Sequence, residues 1–342
     1  MKNKGRFITF SLRCAVVVAM IVVLYPLLTW AVGRVGVPSN VRYIPNNYGH
    51  MGLRLAEADT SMPDLLFVGS SHCYRTFDSR FYDSLGHRSF NLGSSNQTPV
   101  QSAALLRRYL QRWHPQLVVV EVHPDVVQNN GVESAVDIIS NTHLDPPLLA
   151  MATNVHSIKV FNTMLCALID RAVFGSPVVK ASRTFPLPHP YISDSTIAAT
   201  YTEGGFVEAS PVRWRTVEVE PSTIVPDKKQ IKALKEIIMM LEQQEIGYLF
   251  VEVPATRARY LSYSNHAEFE RLITSLLPKG RHLLNLNDDT ALTSLLNDTI
   301  CYSDDDHLNQ EGTTIFNRFF YNKYLCEFNR HNQQSRAQSL NN

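Results

Sequence analysis

The sequence predicts an α/β domain: a three-layer αβα sandwich around a doubly wound, five-stranded parallel sheet, with an N-terminal transmembrane helix and a mid-chain insertion. Three observations predict it. Short apolar runs alternate with segments of helical period, polar clusters follow the early runs, and an uncharged stretch of membrane length follows a basic N-terminus. Composition fits a folded chain, with 342 residues, 44% apolar and 18% charged side chains, 15 Gly and 18 Pro. A formal charge of +1 speaks against nucleic acid as a partner. The five cysteines form no CxxC pair and no Cys/His spacing of a zinc site, so neither structural zinc nor a cystine framework is expected.

Lys2, Lys4, Arg6 and Arg13 precede an uncharged run from Cys14 to Val32, 19 residues long. About twenty helical residues cross the hydrocarbon of a bilayer, so residues 1–33 read as a cytoplasmic N-terminus and a single-pass anchor in the inner (cytoplasmic) membrane. The basic residues on the near side outnumber Arg34 on the far side, which places the chain from about residue 40 onward outside the cytoplasm, in the periplasm. A cleaved signal peptide competes with this reading. Pro26 shortens the apolar run, but Thr29-Trp30-Ala31 is a poor cleavage pattern, and a retained anchor is preferred. Either reading exports the domain, with 34–61 as a linker and 62–328 as the folded unit.

Asp64-Leu65-Leu66-Phe67-Val68, sharpened by Pro63 and ended by Gly69, is the first strand. Arg88 to Leu92 is the second. Ala103, Leu106, Leu110 and Trp113 recur on one face of a helix from Val100, and Leu117 to Val122 is a third strand, apolar except for Glu121. Asp227 is placed to cap a helix to about Glu245, which leads into the strand Tyr248–Val253, ended by Pro254. A helix at His266–Leu277, a short strand Leu283–Leu286 and a helix from Gln310 to Phe328 complete the alternation. Residues 128–226 break the rhythm. Ser157 to Phe174 reads as a helix, but Ser176 to Pro226 carries seven prolines and no clean period. This insertion is expected over one edge of the sheet, as a lid, a substrate groove or a surface excursion without a binding role. Residues 329–342 read as a disordered tail.

Ligands of an open parallel sheet gather at the carboxyl ends of its strands. Three polar clusters fall there: Gly69-Ser70-Ser71-His72, Asn91-Leu92-Gly93-Ser94-Ser95-Asn96, and Asp304-Asp305-Asp306-His307-Leu308-Asn309. A serine hydroxyl needs a base to take its proton, and an imidazole base works best when a carboxylate fixes its tautomer. Asp304 and His307 lie three apart on a turn, close enough to form such a pair. In order and position these blocks resemble those of SGNH, or GDSL-type, hydrolases, which have a flavodoxin-like fold. The resemblance covers residues 62–126 and 227–328. It implies Ser71 as nucleophile, His307 as base, Asp304 as its orienting acid, and an oxyanion hole from Ser71 and Gly93; Asn96, downstream of Gly93 in the same loop, is a candidate second donor by its position alone. The third block departs from the pattern: Glu121-Val122-His123-Pro124-Asp125 stands where the family places an asparagine.

Each residue also has a structural role to weigh. Ser71 sits where a serine commonly caps a helix, and the acidic triplet suits a helix start. His72, Arg75, Glu121 and Arg257 are the candidate substrate-binding residues: His72 is expected to line the pocket, Glu121 to pair with Arg75 or another cation or to carry a raised pKa, and Arg257 with Arg259 to meet an anionic substrate or, as the preferred alternative, to lie on a solvated loop. A divalent ion held by His72, Cys73, His123, Asp125 and the acidic triplet is the rival chemistry; the spacing matches no known ligand motif, so no metal and no organic cofactor are expected. The GSS start, the anchor and the missing asparagine make the chain similar to exported members of the family that handle acyl groups on cell-surface polymers, such as D-alanine transfer and alginate O-acetylation proteins. That likeness implies an esterase or O-acyltransferase acting on a cell-surface polysaccharide, with a membrane acyltransferase as a second partner. The alternative is an inactive scaffold that binds glycan or such an acyltransferase.

Overall fold

The computed structural model describes residues 2–35, 40–45, 50–175, 184–186, 198–209 and 218–326. Among them are eight strands: β1 (Leu65–Val68), β2 (Ser89–Asn91), β3 (Leu117–Glu121), β4 (Thr184–Pro186), β5 (Ala198–Tyr201), β6 (Val207–Ala209), β7 (Gly247–Glu252) and β8 (Leu284–Asn285). Five of them form one parallel sheet in the order β2-β1-β3-β7-β8. The chain turns to opposite sides of β1 for β2 and β3, and this reversal opens a crevice at the carboxyl ends of the strands. Asp64 ties the starts of three strands together. Its Oδ1 accepts from the Arg88 N–H at 3.0 Å and its carbonyl from the Gln116 N–H at 2.8 Å.

Side chains alternate between the two faces of the sheet, and each face has its own core. Leu66, Val68, Val118, Val120, Tyr248 and Phe250 join the core beneath helices Pro99–Trp113 and Lys228–Gln243. Leu65, Phe67, Leu117, Val119 and Val251 join the opposite one, beneath Ser71–Thr76 and Gln310–Phe320. Thr98 and Gln101 form a capping box on the first of these helices, and Asp227 caps the second through the Lys229 N–H at 2.7 Å.

The expected linker is in part core. Within 34–61 the helix Met51–Ala58 buries Met51, Leu55 and Ala58 completely or nearly so. The insertion is also more ordered than its sequence suggests: besides Ile158–Phe174 it holds helices Val132–Asn141 and Pro146–Val155, packed into the first core. Asp145 before Pro146 caps the latter by accepting from the Leu148 N–H. The three strands β4, β5 and β6 make a small antiparallel sheet. The turn before β6 covers the β2 edge of the main sheet, where the Asn91 N–H donates to the Gly204 carbonyl at 2.7 Å. The final helix is shorter than expected, ending at Phe320 and continuing as a π-turn over Tyr321–Leu325. The expected tail lies outside the described residues.

At the N-terminus a helix runs Lys2–Val35 straight through Pro26, and its stretch Gly5–Gly33 is long and apolar enough to cross a membrane.

Candidate active site

The first cluster folds as a tight turn from β1 into the helix Ser71–Thr76. Ser70, not Ser71, is the cap: its Oγ accepts from the His72 N–H at 3.2 Å and meets His72 Nδ1 at 2.9 Å. That division of labour leaves the Ser71 hydroxyl free to face the crevice. The turn is pinned from below by Glu121 at the end of β3, whose Oε2 accepts from the Ser70 N–H at 2.6 Å. Gly69 permits this approach, because a Cβ there would stand 2.4 Å from Glu121 Oε2.

The last cluster folds as a closed loop. Tyr302 and Leu308 form a bridge, and the Ser303 N–H donates to the His307 carbonyl at 2.9 Å. Inside the loop Asp304 Oδ1 accepts from the backbone N–H groups of Asp306 and His307, at 3.1 and 2.7 Å. The same carboxylate then holds the His307 ring, with Nδ1 2.9 and 3.0 Å from its two oxygens. The other ring nitrogen, Nε2, stands 2.8 Å from Ser71 Oγ. Gly312 lets the following helix come close to this loop, since a Cβ there would lie 2.2 Å from the Cys301 carbonyl oxygen.

A second carboxylate joins the site. Asp306 Oδ1 is 2.7 Å from His307 Nδ1 and its Oδ2 is 3.3 Å from His72 Nε2. Asp304 satisfies the geometry of a hydrogen bond to Nδ1, whereas Asp306 acts on the ring chiefly through its charge. Three imidazoles stack beside it: His72 lies 4.4 Å from His307 and 3.9 Å from His123, its ring nearly parallel to both. Burial alone would lower the proton affinity of His307, but the carboxylates of Asp304 and Asp306 outweigh it and raise its pKa to about 10. Burial likewise favours a neutral Asp306, yet the imidazoles of His307 and His72 hold it well below the usual carboxylate range. Burial keeps His123 neutral, and its Nδ1 accepts from the Asp125 N–H at 3.3 Å. Arg259 pairs with Asp125 and holds its guanidinium over Tyr263, closing this side of the site.

Ser71, His307 and Asp304 therefore meet as the sequence expects, while several companions do not take their expected places. The Gly93 N–H donates to Asn91 Oδ1 at 3.2 Å, because Asn91 is fixed by donating its amide to the carbonyl of Cys73 at 2.9 Å. The Asn96 amide is directed to Glu133 at 3.3 Å. Of the three expected oxyanion donors, the Ser71 N–H is the one without an intramolecular acceptor among the described residues. Glu121 is corrected from substrate contact to support, since it is 4% exposed and sits under the Ser70–Ser71 turn; burial raises its pKa, as expected. Arg75 does not pair with it. Its Nε is buried without a hydrogen-bond partner among the described residues, and its charge reaches His307.

Arg257 lines a separate cavity of about 470 Å³ with Tyr260, Asn287 and Tyr302, whose walls include neither Ser71 nor His307. Of the ligands considered for a cation, Cys73 is fully buried and its Sγ donates to Asn91, with burial raising its thiol pKa. His72, Asp306 and His307 bring ligand atoms within 4.8 Å of one another, but His307 Nε2 is turned to Ser71. The roles of Asp306 and of the imidazole stack were not legible in sequence, where Asp306 is one of three adjacent acids and His123 an isolated histidine. No family model, curated protein or solved structure matches the chain.

Proposed function

We propose that the chain is an exported, membrane-anchored serine esterase or O-acyltransferase, acting on O-acyl groups, chiefly O-acetyl, of cell-surface carbohydrate. The observation that carries the reading is the unbroken line Ser71 Oγ, His307 Nε2, His307 Nδ1, Asp304, with each step at hydrogen-bond distance. Ser71 attacks the ester carbonyl and gives its proton to His307 Nε2. Asp304 stabilises the resulting imidazolium, and the Ser71 N–H donates to the oxyanion. His307 then protonates the departing sugar oxygen, leaving an acyl-serine. Water regenerates Ser71 in an esterase, and a second sugar hydroxyl does so in a transferase, each losing its proton to His307. The mechanism needs no organic cofactor.

The resemblance to SGNH hydrolases supports the assignment of roles, and the apolar helix with its basic N-terminal flank supports anchoring and export. A polymeric carbohydrate substrate and a membrane acyltransferase partner rest on the likeness to exported polysaccharide-modifying members. Acetate released from purified envelope polysaccharide should be seen with the wild type and abolished by Ser71→Ala.

One observation favours a second reading. With the Gly93 N–H engaged by Asn91, the oxyanion hole is thin, as it would be in a scaffold that binds glycan or an acyltransferase without turnover. Polysaccharide binding that persists in Ser71→Ala, without acetate release by either protein, would favour that alternative.

A further inference from the structure

The helix Ile158–Phe174 has one side committed to protein and one side open. Val160, Thr163 and Ala167 are buried. Asn162, Cys166 and Asp170 face the N-terminal helix: Tyr25 Oη donates to Asn162 at 2.7 Å, Cys166 Sγ to the Thr29 carbonyl at 3.2 Å, and Trp30 Nε1 to Asp170 at 3.4 Å. The open side carries Ile158, Phe161 and Leu168, between 44% and 57% exposed, and at its end Val173, 59% exposed, next to Phe174, whose ring stacks on Trp30. Ile158, Phe161 and Leu168, with Leu165 between them, follow the three-and-four spacing of a helical stripe. A row of large apolar side chains of this kind needs an apolar neighbour.

The geometry of the pair says which neighbour. The contacts Tyr25–Asn162 and Thr29–Cys166 share one sequence offset of 137, so the two helices run side by side in the same direction. The open stripe is thereby level with the last third of the apolar stretch Gly5–Gly33, where Leu24, Leu27 and Leu28 are also exposed. At 1.5 Å per residue that stretch is about 44 Å long, against about 30 Å of hydrocarbon, so it has length to spare for tilt.

We infer that Ile158–Phe174 is a second membrane contact, its open stripe seated among the acyl chains of the leaflet on the domain's side. This rests on the reading of Lys2–Val35 as a membrane anchor. Two attachments, a span and a helix locked beside it, would fix how the domain sits over the bilayer and direct the Ser71 crevice toward material at the membrane surface.

The test uses the full chain reconstituted in vesicles of phosphatidylethanolamine and phosphatidylglycerol, with photoreactive benzoylphenylalanine in place of one residue at a time. Val17 reports on the anchor, Phe161 and Leu168 on the stripe, and Leu85, exposed on the other face of the sheet, on background. Phospholipid-mass adducts at Val17, Phe161 and Leu168, but not Leu85, are expected. Lipid adducts at Val17 with none at Phe161 and Leu168, or with protein adducts there instead, overturn the inference and leave the anchor standing. Absence of lipid adducts at Val17 overturns the anchor reading and the inference together.

Discussion

His307 Nε2 stands 2.8 Å from Ser71 Oγ across 236 positions of sequence, with Asp304 holding the opposite nitrogen of the ring. The sheet brings this about. Ser71 follows β1 and the His307 loop precedes the helix that packs on the same face, so both arrive at one end of the strands.

The two carboxylates at His307 should separate cleanly on substitution. Asp304→Asn removes the group that orients Nδ1 and should lower the turnover of a chromogenic acetyl ester by about four orders of magnitude. Asp306→Asn removes charge but leaves the Asp304 bond, so activity should persist.

Those variants also fix the sign of the pH dependence. His307 takes the Ser71 proton only when neutral, and its pKa is raised to about 10, so kcat/KM should climb with pH through the alkaline range. Asp306→Asn lowers the proton affinity of His307 and should move that rising limb to lower pH, increasing activity near neutrality. A profile between pH 5 and about 10 of both proteins reads this directly.

Adjacent serines should respond in opposite ways. Ser70→Ala removes a helix cap and should cost about 1 kcal/mol in denaturant unfolding while keeping esterase activity. Ser71→Ala should abolish activity with little change in stability, since its hydroxyl caps nothing.

Support of the turn by Glu121 predicts two further effects. Glu121→Ala leaves the Ser70 N–H buried without an acceptor and should cost about 1–3 kcal/mol. Burial raises the pKa of Glu121, so its contribution to stability is greatest at low pH and declines as pH rises through that value. Glu121→Gln should keep the fold, and its stability relative to wild type should rise over the same pH interval, as measured by unfolding at several pH values.

The central sheet was legible because its strands are continuous apolar runs bounded by Gly and Pro, a pattern that survives without tertiary context. Asp304, His307 and Ser71 were legible because one block directly follows β1 and the other leads into the helix Gln310–Phe320, with the acid and the base three apart. The helix Met51–Ala58 was missed, since an eight-residue helix bearing a buried Arg54 lacks a clean apolar stripe. The helices Val132–Asn141 and Pro146–Val155 were hidden by the proline-rich stretch that follows them, although Asp145-Pro146 was a usable start signal. The oxyanion donors misled because a backbone N–H carries no sequence mark of its partner: Asn91 takes Gly93, and Glu133 takes the Asn96 side chain. Asp306 could be told from Asp304 and Asp305 only by where its side chain points, between two stacked rings.

The most direct measurement is the site of covalent modification by a fluorophosphonate probe, read by peptide mass spectrometry on the intact chain. The account expects a single phosphonylated residue, Ser71, with labelling retained in Ser70→Ala and lost in His307→Ala. An unlabelled Ser71 in a folded protein, or labelling that is undiminished in His307→Ala, would contradict it.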